Sequence, residues 1–176
     1  MVDLTTAFQA QAARVGATVH RTARAEVVAL AVRILRGAGC RTVALADALP
    51  QRLAFAQALS EAGLSEVSTA VLWPTRRADA GMCSAKLGVA ETGSVLLHST
   101  SEDRRVELCV DVHLVVLEAA TVIPTLDRAF ATLREISARS AYAALVSGPS
   151  RSADIERQLT IGVHGPRALH VLLLEA

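Results

Sequence analysis

Residues 22–36, TARAEVVALAVRILR, place Val28, Val32 and Leu35 on one helical face while Val27, Leu30 and Ala31 fill others. That spacing predicts a well-buried helix, capped by Thr22 and ended by Gly37 and Gly39. RTVALA (41–46) follows as a short buried strand. The same beat repeats once. Phe55, Leu59 and Ala62 align on a helix over 50–62, Gly63 stops it, and VSTAVLW (67–73) reads as the next strand.

After Pro74 the pattern turns polar and Arg-rich, which predicts a loop. In KLGVAETGSVLLHS (86–99), Val89 and residues 95–97 have strand character around a turn at Glu91, Thr92 and Gly93. VHLVVLEA (112–119) is almost continuously apolar, as expected of a strand covered on both faces. Residues 124–138 form an amphipathic helix with Pro124 in its first turn and Leu126, Phe130, Leu133 and Ser137 on one side. YAALVS (142–147) reads as a strand, 150–158 as a short helix and ALHVLLLE (168–175) as a last strand. With a helical segment over 1–20, the alternation predicts one α/β domain over 1–176, three layers (αβα) about a mostly parallel sheet.

Composition sharpens this picture and closes several functional classes. Apolar residues make up 52% of the 176-residue chain and aromatics only 3%, which suits close helix-on-sheet packing. The net charge of +1 gives no basic field for nucleic acid. The longest apolar runs, 27–32 and 113–120, fall far short of the ~20 residues of a membrane span. The first residues lack the basic and apolar regions of a secretion signal, so a cytoplasmic protein is expected. Cys40, Cys83 and Cys109 stand at no zinc or iron–sulfur spacing, so they read as reduced thiols and the chain is expected to carry no metal or cluster of its own.

The chemistry gathers in GPSRSADIERQLTIGVHGP (148–166), where two Gly-Pro pairs bracket hydroxyls, charge and one histidine. Gly148, Ser150, Arg151, Ser152 and Asp154 follow a strand and open a helix, a plausible cradle for an anion. The competing reading is plain helix capping by Ser150 or Ser152. His164, between Gly162 and Gly165, suits a general acid or a turn residue equally. In AETGS (90–94), Glu91 can act as base or nucleophile, with Thr92, Gly93 and Ser94 beside it, or stand in a solvent-exposed hairpin turn. His113 reads as a core histidine, and Arg104-Arg105 as a solvated loop. Ligands of open α/β sheets gather beyond the carboxyl ends of the strands, which is where these loops are expected.

GVAETGSVLL (88–97) and GPSRSADIERQLTIGVHGPRALHVLLL (148–174) together resemble the LUD domain, the family of lactate-utilisation protein C. The second block is the specific one, RVELCVDVHLVVL between them also fits, and the likeness spans residues 81–175. Lys86 stands where the family usually has an acid, and Asp111-Val112 where a proline is common before the histidine. The resemblance implies a fold similar to glucosamine-phosphate deaminases, ribose-phosphate isomerases and CoA transferases. It implies a component of L-lactate oxidation to pyruvate that binds a small organic anion, of the lactate and pyruvate class or a phosphate or CoA compound. Iron–sulfur clusters are then expected on partner subunits. A stand-alone CoA-transferase-like or sugar-phosphate-type enzyme using Glu91, and a non-catalytic assembly module, are the alternatives.

Overall fold

The computed structural model describes residues 3–72, 77–99, 103–137, 142–152, 160–162 and 165–175. In chain order they form α1 (Leu4–Arg14), β1 (Thr18–Ala23), α2 (Val27–Gly37), β2 (Thr42–Leu45), α3 (Arg52–Glu61) and β3 (Ser65–Glu66). Next come β4 (Ala78–Ser84), β5 (Leu87–Val89), β6 (Ser94–Ser99), α4 (Arg105–Leu108), β7 (Val110–Glu118) and β8 (Val122–Ile123). The chain continues through α5 (Leu126–Ser137), β9 (Tyr142–Val146), β10 (Arg151–Ser152), β11 (Thr160–Ile161) and β12 (Ala168–Glu175).

Six strands in the order β1-β12-β7-β4-β2-β3 form the main sheet, and every neighbouring pair is parallel. Strands β7 and β12 sit at its centre, which explains their continuous apolar sequences. One face meets α2 and α3: Val43, Leu45, Met82, Leu114, Val116, Leu172 and Leu174 pack against Val27, Ala31, Leu35, Phe55 and Leu59. The other face meets Phe8 and Ala12 of α1, Val106 of α4, and Val95 and Leu97 of β6. A second sheet, β8-β5-β6-β9, thus shares this layer with helices, and its far side is closed by α5 through Ala129 and Ile136. The α/β class and its three layers are as expected.

Several local expectations are corrected. The helix expected over 1–20 ends at Arg14, and Gly16 (φ +87°) turns the chain into β1. Thr22 is therefore a strand residue and not a helix cap. The strand expected over 67–73 is replaced by β3 and a single 3₁₀ turn, Thr69–Val71, whose first free N–H, that of Ala70, is accepted by Ser68 Oγ at 3.3 Å. The Arg-rich loop gives way to β4, an inner strand of the main sheet. On α5 the buried side chains include Ala129 and Ile136, whereas Phe130 is 45% exposed. Ser150 begins no helix: residues 151–152 are extended and pair antiparallel with β11.

Candidate functional site: a cavity between the two Gly-Pro corners

The two Gly-Pro pairs lie side by side. Strand β9 ends at Val146, and Gly148 turns the chain with φ +77°. A Cβ there would stand 2.0 Å from the Val15 carbonyl oxygen, so only glycine lets the corner rest on the end of α1. The Ser150 N–H then donates to the Pro166 carbonyl at 2.9 Å, and the Gly162 N–H donates to the Ser150 carbonyl at 3.0 Å. Gly165 faces the Ser150 side chain so closely that a Cβ would meet it at 3.1 Å. These bonds fold 148–150 and 165–166 into one wall.

The opposite wall comes from α4 and β7. On β4, Gly81 pairs in register with His113. A Cβ on Gly81 would reach within 2.2 Å of the Val106 carbonyl oxygen, so the missing side chain lets α4 lie directly on the strand. That contact carries Glu107 down beside the histidine. Between the walls is a cavity of about 180 Å³, lined by Glu107, Leu108, His113, Tyr142, Val146, Gly148, Ser150, Gly165 and Pro166. It lies over the amino-terminal half of β7 and the entry to β12, not at the carboxyl ends where the fold class led us to look. The carboxyl ends carry a separate groove bounded by Arg24, Glu118, Ala119, Ala120, Leu174 and Glu175, where Arg24 is already paired with Glu118 at 2.7 Å.

The electrostatics of the cavity are set by burial. Glu107 is 5% exposed, and desolvation, helped by the charge of Asp103, pushes its carboxyl up to about 7; a 3.5 Å hydrogen bond from Ser99 Oγ opposes the rise. His113 is 1% exposed, and desolvation lowers it to about 4, so the ring is neutral at pH 7. Its Nε2 lies 3.2 Å from Cys83 Sγ, and burial holds that thiol well above its usual range. Tyr142 is raised by desolvation and by the Glu107 charge, while the Arg104 guanidinium sits 5.9 Å from its ring centroid. The site thus holds a carboxyl poised near neutrality beside an uncharged imidazole, with two hydroxyls. Such a set can exchange a proton and hydrogen-bond an oxygen-rich ligand.

Gly148, Ser150 and Gly165 were singled out from sequence and line this cavity; Glu107, His113 and Tyr142 were not chosen as site residues. Glu91 lies elsewhere, where its Oε2 accepts the Leu126 N–H at 2.8 Å at the start of α5. Thr92, Ser94 and Ser147 form a hydroxyl chain, with oxygen separations of 2.7 and 2.6 Å. Gly93 (φ +67°) backs onto α1, where a Cβ would fall 2.1 Å from the Ala12 nitrogen. Arg151 donates to the Val15 carbonyl at 3.0 Å and so ties β10 to the end of α1. Ser152 extends β10, and Asp154 and His164 lie outside the described residues. Arg105, read as part of a solvated loop, opens α4 and donates to the Ala70 carbonyl at 2.8 Å. Among the described residues no group of three or more His, Cys, Asp or Glu is placed to hold a metal ion, and no helix is long and apolar enough to cross a membrane.

A family model for the LUD domain matches residues 5–174. Lactate utilization protein C of Anoxybacillus flavithermus is 32% identical over 101 residues, covering 56% of this chain and 46% of that protein. Its namesake in Bacillus pumilus is 36% identical over 91 residues, covering 48% of this chain and 38% of that protein. The alignments thus span less than half the length of these relatives. A crystal structure of a DUF162 family protein from Deinococcus radiodurans superposes with a TM-score of 0.72 at 20% identity, covering 98% of this chain and 96% of that one.

Proposed function

The chain belongs to the LUD domain family, and from that premise we propose that it is a lactate-utilisation protein of the cytoplasm. In this reading it holds a small organic anion of the lactate and pyruvate class in the cavity between Glu107, His113 and Ser150, beside partner subunits that carry iron–sulfur clusters. The observation that carries the reading is the meeting of both motif-bearing Gly-Pro corners at a cavity with a titratable carboxyl. Its size supports a small ligand: about 180 Å³ is below the ~300–1,000 Å³ of sites that hold drug-sized molecules. A CoA-sized compound fits it poorly. The relatives named for lactate utilisation, about a third identical over the matched residues, support the same class.

Titration calorimetry with L-lactate, pyruvate, a sugar phosphate and an acyl-CoA tests the reading. Saturable binding of lactate or pyruvate is expected, weakened roughly five- to tenfold by Ser150→Ala, the loss of one hydrogen bond of about 1 kcal/mol. Binding of the acyl-CoA alone, or lactate binding untouched by both Ser150→Ala and Tyr142→Phe, overturns it.

A further inference from the structure

A cavity for an anion normally presents a guanidinium or ammonium group, and here the described lining residues include neither. The charged and titratable groups around Glu107 come from every element packed on it. Asp103 precedes α4 and is 4% exposed. His113 comes from β7, Tyr142 from β9, and the buried Cys83 thiol from β4. Of the two nearby arginines, Arg104 faces the Tyr142 ring and Arg105 is directed to backbone carbonyls of residues 69 and 70. An incoming carboxylate therefore meets a buried carboxyl group, and two negative charges cannot share that space without a counter-charge.

We infer that the cavity takes a small monocarboxylate together with one proton from solvent, the proton being shared between the Glu107 carboxyl and the ligand's carboxylate. The inference rests on the reading that a small organic anion binds here, and it names the charge class. One proton on Glu107 balances one negative charge, so dicarboxylates and inorganic phosphate are rejected. The arrangement uses what burial provides: Glu107 already retains its proton to about neutral pH, so little work is needed to hold it there when the ligand arrives. Neutral His113, next to Cys83, leaves the cavity without a second counter-charge.

Calorimetry of L-lactate, pyruvate, malonate and inorganic phosphate, between about pH 6 and about pH 9, reads this directly. The dissociation constant for the monocarboxylate is expected to be flat at the acid end and to rise about tenfold per pH unit at the alkaline end. Repeating the titration at about pH 8 in two buffers of different ionisation enthalpy should show one proton taken up per anion bound. Glu107→Gln, which keeps the shape and a donor, should abolish both the slope and the proton uptake. Should the variant fail to fold, the proton count in the unaltered protein still decides. Monocarboxylate binding with no pH slope and no proton uptake, or malonate binding as tightly as lactate, overturns the inference while leaving the binding site standing. No binding by any of the four overturns both.

Discussion

Glu107 and His113 pull the stability of the protein in opposite directions as pH changes. Glu107 is raised from an ordinary 4.5 to about 7, so between those values the unfolded chain releases a proton that the folded one keeps. Its stabilising contribution is complete below 4.5 and is lost as pH rises through 7, at about 1.4 kcal/mol per pH unit. His113 is lowered from 6.5 to about 4, so its contribution is complete above 6.5 and is lost as pH falls through 4. From 4.5 to 6.5 the two slopes oppose each other. Glu107→Gln should therefore expose the histidine slope, with stability climbing by about 2–3 kcal/mol from pH 4 to 6.5 relative to the unaltered protein. Urea midpoints across that range check it, and parallel curves for the two proteins would show that Glu107 is not held protonated by the fold. Neither residue announced itself in the sequence. Glu107 sat in a stretch read as a loop, and a histidine before an apolar run is most simply a core residue.

Close backbone approach, not side-chain pattern, decides where α4 lies. Gly81→Ala puts a methyl where the Val106 carbonyl already stands, which should cost about 1–3 kcal/mol as α4 is lifted from β4. Because Glu107 rides on that helix, the same variant should weaken lactate binding, measured by calorimetry. Stability loss with unchanged affinity would mean the cavity tolerates the shift. At the other end of the fold, Glu91→Ala removes the acceptor for the Leu126 N–H and should cost about 1 kcal/mol, while Glu91→Gln retains most of it, read from melting curves. Loss of all activity in a well-folded Gln variant would instead give Glu91 a chemical role. The elements legible in sequence were those whose pattern is local: β7, β12, α3, and the β5–β6 hairpin with its Gly93 turn. Strand β1 was missed because its partner is β12, at the other end of the chain. Strand β4 was missed because its Ala, Gly and Ser residues reflect the demands of α4 lying on them, which no window of sequence contains. The stretch after Gly148 looked like a helix start because Ser, Asp and Glu suit one, yet its first residues are taken by β11.

The same long-range pairing makes the two sheets one body. Val95 and Leu97 of the second sheet share a core with Val115 and Leu117 of β7, Val171 and Leu173 of β12, and Phe8 of α1. The cavity exists only because these parts hold together: β9 supplies Val146 and Gly148, β7 supplies His113, and the corner at Gly165 enters β12. A second sheet that opened by itself would carry half the binding wall away. Leu97 is fully buried at this junction, so Leu97→Ala should cost about 2–5 kcal/mol through its lost contacts and the void left behind. More tellingly, the loss should fall on both sheets at once. Native-state hydrogen exchange is expected to give the amides of 95–97 and of 114–117 the same opening free energy, and to lower both equally in the variant. If the amides of β6 and β9 open at markedly lower free energy than those of β7, the second sheet is a separate unit. Ligand binding would then be coupled to its closure on the main sheet, and saturating lactate should raise the opening free energy of β6 and β9 more than that of β7.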